Sequence, residues 1–320
     1  MSDAPLMLSV SGLRGLVGRS LTPPVAARYA AAFGSWLRAR YADKSGALHV
    51  VLGRDSRPSG QMFESAAVSG LVAAGCRVTQ LGIVSTPGVA IMTQHLGAQG
   101  GMVITASHNP IQWNGIKVFR HDGVAPTADQ VRDIIDRFHA DREDYVGVKK
   151  DAPLTEDDST PRVHTELLLR HLDVAAIRKR KLKVVLDSMH GAGGAETAAL
   201  LEALGVELVH LYAEPSGQFP HHPEPTRENV VSLCQAVREH GGDIGFTQDP
   251  DADRLAVVDE TGSYIGEEYT LALSCLHVLE RCAAESAGAT VKVAANLSTS
   301  RMIDDIAAQF GAQVVRTAVG

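Results

Sequence analysis

The chain has 320 residues, a hydrophobic content of 45%, a charged content of 21% and a formal net charge of −7. This length exceeds one ordinary domain, and the composition is that of a folded globular protein, not a disordered one. The net negative charge argues against a nucleic-acid-binding surface and favours small-molecule chemistry.

The sequence contains no run of about eighteen apolar residues, and its N-terminus lacks the basic region and apolar core of a secretory signal. The four cysteines form no CxxC pair, and we interpret them as reduced core thiols: Cys76, Cys234, Cys275 and Cys282. We therefore expect a cytoplasmic protein that binds neither a membrane nor nucleic acid.

Up to about residue 140 the sequence predicts strand–loop–helix units. A helix from Pro23 to about Tyr41, capped by Thr22, comes first. The units that follow are strand Leu48–Leu52, helix Met62–Ala74, strand Arg77–Leu81, helix Val89–His95 and strand Gly101–Ile104. This alternation is typical of a mostly parallel sheet flanked by helices.

The charged, proline-containing segment from Asp141 to Pro161 predicts a linker or a surface excursion. A second α/β pattern starts at Leu182 after a helix at about Thr165–Leu172, and a third starts near Glu267. We predict tandem α/β/α domains with mixed, mostly parallel sheets at residues 1–150, 160–262 and 263–320. The third domain is expected to be truncated, because a βαβ unit of about fifty residues buries too little apolar area.

Ser107 lies three residues beyond a predicted strand, in the segment TASHNP. Ligands of α/β sheets gather at the carboxyl ends of strands, and Pro110 prevents a helix from continuing through the turn. The hydroxyl of Ser107 can therefore project from a tight turn. The alternative is a turn serine that only bonds local backbone groups.

Three carboxylates stand at alternate positions of the segment DPDADR: Asp249, Asp251 and Asp253. Such hard oxygen donors suit Mg²⁺ or Ca²⁺ better than zinc. An EF-hand is excluded because Arg254 stands where the calcium loop needs glycine, and Leu255–Val258 reads as a strand. In a straight strand the three side chains would spread over about 13 Å, so the loop must curl to bind one ion.

Charge balance predicts that cations line this site. A phosphorylated Ser107 would add about −1.5 to −2 to the three aspartates, and a divalent ion offsets only part of that. The basic residues nearest in sequence to the two loops are Lys117 and Arg254. Arg14 and the pair Arg54/Arg57 are further candidates.

Four segments in this order resemble the α-D-phosphohexomutases: SGLRG at 11–15, GRDSR at 53–57, TASHNP at 105–110 and DPDADR at 249–254. The resemblance runs from about Leu8 to Gly320. The family covers phosphoglucomutase, phosphomannomutase and phosphoglucosamine mutase. The sequences of two segments, SVSGLRG at 9–15 and ASHNPIQWNGIKVF at 106–119, are most similar to the last of these.

The resemblance implies that Ser107 is a phosphoserine, which passes its phosphoryl group to a hexose phosphate through a hexose 1,6-bisphosphate that also activates the enzyme. It implies that Asp249, Asp251 and Asp253 hold Mg²⁺ together with the Ser107 oxygen. Basic and neighbouring residues would assist proton transfer and steady the phosphoryl group: Arg14, Lys117, Arg254 and His108. The substrate would be glucosamine phosphate, or alternatively a mannose or glucose phosphate, and the protein a monomer or homodimer.

The departure from the family is at the C-terminal end. The GE-x-SG sugar-recognition loop of the family's third domain and the R-x-SGTEP phosphate clamp of its fourth do not occur in the 320 residues. We therefore expect that the fourth domain is absent and that this chain cannot complete efficient mutase turnover. Two other classes stay open: a metal-dependent phosphohydrolase that uses Ser107 as a transient nucleophile, and a non-catalytic sugar-phosphate-binding module.

Overall fold

The computed structural model describes residues 5–41, 47–140, 146, 154–285 and 291–318. Within these ranges the strands form sheets of seven, four and two strands, in chain order. Among the same residues, no helix combines the length and the apolar character that a membrane span requires.

The first sheet has the strand order β1-β2-β6-β5-β3-β4-β7. Its strands are β1 Met7–Ser9, β2 Gly12–Leu16, β3 Leu48–Arg54, β4 Cys76–Ile83, β5 Gly100–Ile104, β6 Trp113–Arg120 and β7 Leu154–Glu156. Its helices are α1 Pro23–Arg40, α2 Gly60–Ala73, α3 Thr86–His95 and α4 Ala128–His139. Strands β5, β3, β4 and β7 are parallel neighbours, and β5, β6, β2 and β1 pair antiparallel.

The central strand β3 is buried on both faces of this sheet. Val50 and Leu52 belong to the core under α1 and α2, whereas Val51 belongs to the core under α3. A strand covered by helices on both sides is mostly apolar, which explains the apolar run Val50–Leu52.

The second sheet has the order β11-β10-β8-β9, in which only β11 runs antiparallel to its neighbour. Its elements in chain order are α5 Thr160–Leu169, α6 Val174–Arg180, β8 Lys183–Asp187, α7 Gly194–Ala203, β9 Glu207–Leu211, α8 Val231–His240, β10 Ile244–Gln248 and β11 Leu255–Val258. Along β8, Val184 and Leu186 pack with Leu201 of α7, and Val185 packs with Leu233 of α8. Helices therefore cover both faces of this sheet as well.

The last elements are α9 Glu268–Glu285, β12 Lys292–Asn296, α10 Met302–Gln309 and β13 Gln313–Thr317. Strands β12 and β13 are parallel, and their small core contains Ala272, Ala295 and Ile303. The predicted α/β class with mixed, mostly parallel sheets is confirmed.

The segment Asp141–Pro161, predicted to be a linker or a surface excursion, contains regular elements in its second half. Leu154–Glu156 forms β7, which pairs in parallel with β4 at the edge of the first sheet, and α5 begins at Thr160, ahead of the predicted Thr165. Residues 141–145 and 147–153 lie outside the described part of the chain. The three residues of β7 are exposed and form no hydrophobic pattern, so the sequence gives little indication of this edge strand.

The sequence reading also missed β1, β2, β6, α4 and α6. The strands β2 and β6 contain glycine, which weakens strand propensity and hides the pattern. Gly115 is required there, because a Cβ atom at this position would overlap the carbonyl oxygen of Leu13 on β2.

Candidate active site

Ser107 lies at the carboxyl end of β5, on a backbone held in an unusual conformation. Its φ of 51° lies in the left-handed region, and the residue is 5% exposed. The Ser107 N–H donates to Oγ1 of Thr105 at 2.8 Å, and that hydroxyl donates to Oδ2 of Asp55 at 2.7 Å. A left-handed non-glycine residue is strained, so these bonds fix the turn that presents the hydroxyl.

The side chain of Arg57 supports the same turn through hydrogen bonds. Its guanidinium is fully buried and pairs through Nε with Asp55 at 3.0 Å. The remaining donors reach four backbone carbonyl oxygens, those of Ser107, Asn109, Pro110 and Trp113. The expectation that Arg57 is a cation of the site is therefore wrong, because its donors are used inside the protein. Arg54 is likewise engaged by Glu64, at 3.0 Å.

The acidic loop follows β10 and curls as its composition predicts. Ala252 adopts a φ of 53°, and the three carboxylates each offer an oxygen within 4.8 Å of the others. The Oδ1 atom of Asp249 accepts the backbone N–H groups of Asp253 and Arg254, both at 3.1 Å. The curl therefore brings alternate side chains, which a straight strand would separate, into one cluster.

The two loops meet although they are far apart in sequence. The Ser107 hydroxyl donates to Oδ2 of Asp249 at 3.1 Å across a sequence separation of 142. From β6 of the first sheet, Lys117 Nζ donates to Oδ2 of Asp251 at 2.8 Å and to Oδ2 of Asp253 at 2.7 Å. The site is therefore shared between the first and second sheets.

The three aspartates fit a divalent cation of the Mg²⁺ class. Their oxygen donors are hard, and Oδ1 of Asp251 is buried without a hydrogen-bond partner. Among the described residues, no other group of three or more His, Cys, Asp or Glu side chains has this spacing. A buried carboxylate oxygen without a partner is costly, and a bound cation would satisfy it.

Burial and mutual repulsion govern the protonation of this cluster. Burial, together with Asp251 and Asp253, raises the pKa of Asp249 well above its usual range. Burial also acts to raise the pKa of Asp251, but Lys117 and the hydrogen bonds outweigh it and lower that pKa to about 2. Burial acts to lower the pKa of Lys117, but the two aspartates outweigh it, so the pKa is raised. Lys117 is thus the cation that balances Asp251 and Asp253.

Three further basic residues surround the Ser107 turn. Arg14 of β2 donates to Oδ1 of Asn109 at 2.6 Å, and Nδ1 of His108 lies 3.4 Å from the Ser107 hydroxyl. Burial lowers the pKa of both side chains, and the nearby guanidinium of Arg254 lowers that of His108 further. Arg254 itself pairs with Glu224 at 3.3 Å and is 31% exposed, so it faces the open side of the site.

Comparisons with known proteins agree with this geometry. The models for "Phosphoglucomutase/phosphomannomutase, alpha/beta/alpha domain I" and for domain II of that family match residues 7–145 and 162–262. The chain belongs to the α-D-phosphohexomutase family. This phosphohexomutase chain is 37% identical to a "Phosphoglucomutase/phosphomannomutase" of Thermococcus kodakarensis, over 97% of the chain and 66% of that relative.

A "Probable phosphoglucosamine mutase" of Methanopyrus kandleri is also 37% identical, over 97% of the chain and 65% of the relative. A crystal structure of a phosphoglucomutase/phosphomannomutase family protein from Burkholderia thailandensis superposes with a TM-score of 0.77 at 28% identity, covering 98% of this chain and 67% of that one. The chain therefore spans about two thirds of the length of the curated relatives it matches.

The structure also adds residues to the candidate site that were not predicted from the sequence. The Thr86 hydroxyl donates to Oδ2 of Asp251 at 2.6 Å, and the Thr86 N–H donates to the Asp251 carbonyl oxygen at 2.8 Å. Thr86 starts α3, directly after β4, which neighbours β3 in the sheet. The available signal was the segment Ser85-Thr86-Pro87, a helix start that follows a strand.

Proposed function

We propose that this phosphohexomutase chain transfers a phosphoryl group between Ser107 and a hexose phosphate. The observation that carries the proposal is the contact between the Ser107 hydroxyl and Asp249, at 3.1 Å in an acidic cluster of which Asp249 and Asp251 are buried. A nucleophilic oxygen beside ligands for a divalent cation is the arrangement that phosphoryl transfer requires. We propose that Ser107 and the three aspartates hold Mg²⁺.

The proposed reaction starts from Ser107 in its phosphorylated form. The oxygen of the free sugar hydroxyl bonds to phosphorus, and the bond between phosphorus and Ser107 Oγ breaks. The sugar hydroxyl loses a proton and Ser107 Oγ gains one, so no net proton is consumed. The resulting hexose 1,6-bisphosphate turns over in the site and returns its other phosphoryl group to Ser107.

The side chains of the chain would share the remaining tasks. Lys117 and Arg254 supply positive charge for the transferring group, and Arg14 does so from β2. Nδ1 of His108 lies 3.4 Å from Ser107 Oγ, and burial lowers the pKa of this side chain, so a neutral imidazole could exchange a proton with that oxygen. When bound, the divalent cation would add charge stabilisation to the phosphoryl oxygens.

For the substrate, we propose glucosamine phosphate, interconverted between its 6-phosphate and 1-phosphate forms. The Methanopyrus kandleri relative carries the matching name. A mannose or glucose phosphate is the second candidate, because the Thermococcus kodakarensis relative carries that name at the same identity. The monomeric or homodimeric state, the cytoplasmic location and the limited turnover of this chain stay predictions from its sequence.

The experiment separates these possibilities in one assay. The chain is first phosphorylated with glucose 1,6-bisphosphate and Mg²⁺, repurified, and mixed with glucosamine, mannose or glucose 6-phosphate. We expect loss of the protein-bound phosphoryl group and formation of a sugar bisphosphate, fastest with glucosamine 6-phosphate. Release of inorganic phosphate in place of bisphosphate would support the phosphohydrolase. Binding of sugar phosphate without any transfer would support the non-catalytic module.

A further inference from the structure

A buried carboxylate outside the acidic loop also joins the two sheets. Glu196 of α7 is 6% exposed and accepts three hydrogen bonds. The Ser85 N–H donates to its Oε1 atom and the Ser85 hydroxyl to its Oε2 atom, both at 2.7 Å. The third contact joins Oε2 of Glu196 to Nδ1 of His164 on α5 at 2.7 Å, with the histidine nitrogen as the donor in the tautomer that satisfies this bond.

Ser85 connects Glu196 to the start of α3. It is the N-cap of that helix, where its hydroxyl oxygen accepts the N–H of Gly88 at 2.9 Å. The packing is close, because a Cβ atom at Gly88 would lie 3.0 Å from both carboxylate oxygens of Glu196. Negative charge near a helix N-terminus is favourable, so the position suits a carboxylate.

The residue after Ser85 orients the acidic loop. Thr86 donates its hydroxyl to Oδ2 of Asp251 and its N–H to the carbonyl oxygen of the same residue. Lys117 occupies Oδ2 as well, which leaves Oδ1 of Asp251 buried and without a partner. Two residues that belong to the second sheet and its helices, Glu196 and Asp251, therefore hold the start of α3.

We propose that Glu196 is a positioning residue for the acidic loop, residues 249–254. By anchoring Ser85 it holds Thr86 where Thr86 fixes the side chain of Asp251, with Oδ1 turned toward the cation. Glu196 does not contact the acidic loop in any hydrogen bond of the described residues, so it acts through the start of α3. The inference rests on the proposed function for the role of the loop.

The test measures the affinity of the full chain for Mn²⁺ by electron paramagnetic resonance. In Glu196→Gln the amide nitrogen cannot accept the hydrogen bonds that one carboxylate oxygen now accepts. We expect about tenfold weaker Mn²⁺ binding, the effect of losing one hydrogen bond to a charged group. The matched control is Glu202→Gln on the same helix, an exposed residue, which should bind Mn²⁺ like the wild type.

Two comparisons distinguish positioning from a general loss of structure. His164→Ala should weaken Mn²⁺ binding, and His164→Asn should restore it, because the asparagine amide nitrogen takes the place of Nδ1 as donor. Thr86→Val removes the hydroxyl that Glu196 is proposed to hold in place. In that background, Glu196→Gln should have little further effect on Mn²⁺ binding, since both changes act on one connection.

Unchanged Mn²⁺ affinity in a folded Glu196→Gln chain would overturn the proposal, as would effects of Glu196→Gln and Thr86→Val that simply add. If circular dichroism shows that Glu196→Gln does not fold, the His164 pair decides: equal affinities of His164→Ala and wild type would overturn it. The proposed function is judged separately. A wild type that binds Mn²⁺ but never takes up a phosphoryl group refutes the transfer chemistry and leaves the affinity test of Glu196 intact.

Discussion

The substitution Arg57→Met tests whether the Ser107 turn is supported by a buried ion pair. Arg57 and Asp55 both have fully buried side chains, 3.0 Å apart. Removing the guanidinium leaves the Asp55 carboxylate without its counter-charge and removes the donors of four backbone carbonyl oxygens. Breaking a buried pair on one side costs about 3–5 kcal/mol. We expect the free energy of unfolding to fall by about that amount.

Tryptophan fluorescence in urea measures this effect selectively. The sequence has two tryptophans, Trp36 and Trp113, and both belong to the first sheet and its helices, so their signal follows that part of the protein. The free energy is obtained from the urea midpoint and slope. The matched control is Arg132→Met, because Arg132 forms an ion pair with Asp129 in which the two side chains are 71% and 89% exposed.

The control should unfold like the wild type, because exposed ion pairs contribute little. The double variant Asp55→Asn/Arg57→Met should lose less stability than the two single losses combined, because no uncompensated charge stays buried. A midpoint of Arg57→Met equal to that of Arg132→Met would refute the reasoning.

Further expectations concern the acidic cluster, a buried thiol and the contact between the sheets. Lys117→Met should lower the thermal midpoint of the metal-free protein, and Mg²⁺ should stabilise this variant more than wild type; equal Mg²⁺ effects would contradict the role of Lys117 as counter-cation. Burial raises the pKa of the Cys76 thiol from 9.0 to about 12. The contribution of this thiol to the free energy of unfolding is therefore fully present below pH 9 and declines as the pH rises toward 12. Cys76→Ala should flatten that decline in urea titrations. Gly217→Ala should be more destabilising than Gly241→Ala by roughly 1–3 kcal/mol. Both glycines have positive φ, but only at Gly217 would a Cβ atom overlap the carbonyl oxygen of Ser56, whereas Gly241 faces open space; equal thermal midpoints would contradict this.

The elements that were predictable from the sequence are those with strong local patterns. The strands around Val50 and Val103 are apolar on both faces, and the turns after β5 and β10 carry Ser107 and the aspartates. The curl of the acidic loop was predictable because alternate carboxylates on a straight strand lie too far apart to bind one ion. Each of these features depends on a few neighbouring residues, which is why it can be predicted from the sequence alone.

The missing features depend on distant partners. Arg57 was a candidate for the cations that line the site, but its role is set by carbonyl groups far away in sequence, such as that of Asn109, 52 positions along the chain. Glu196 and His164 belong to no sequence motif, because Glu196 is defined by its contact with Ser85 of the first sheet's side and His164 by its contact with Glu196. β7 has no pattern of its own, since its three residues are exposed and are defined by pairing with β4.

The central claim is that Ser107 accepts a phosphoryl group in a site completed by the acidic loop. The direct measurement is the intact mass of the chain after incubation with glucose 1,6-bisphosphate and Mg²⁺, with the modified residue located by peptide sequencing. We expect the mass of one phosphoryl group on Ser107, none in Ser107→Ala, and strongly reduced uptake in Asp251→Asn. A wild-type chain that gains no phosphoryl group, or gains it at another residue, would contradict the claim.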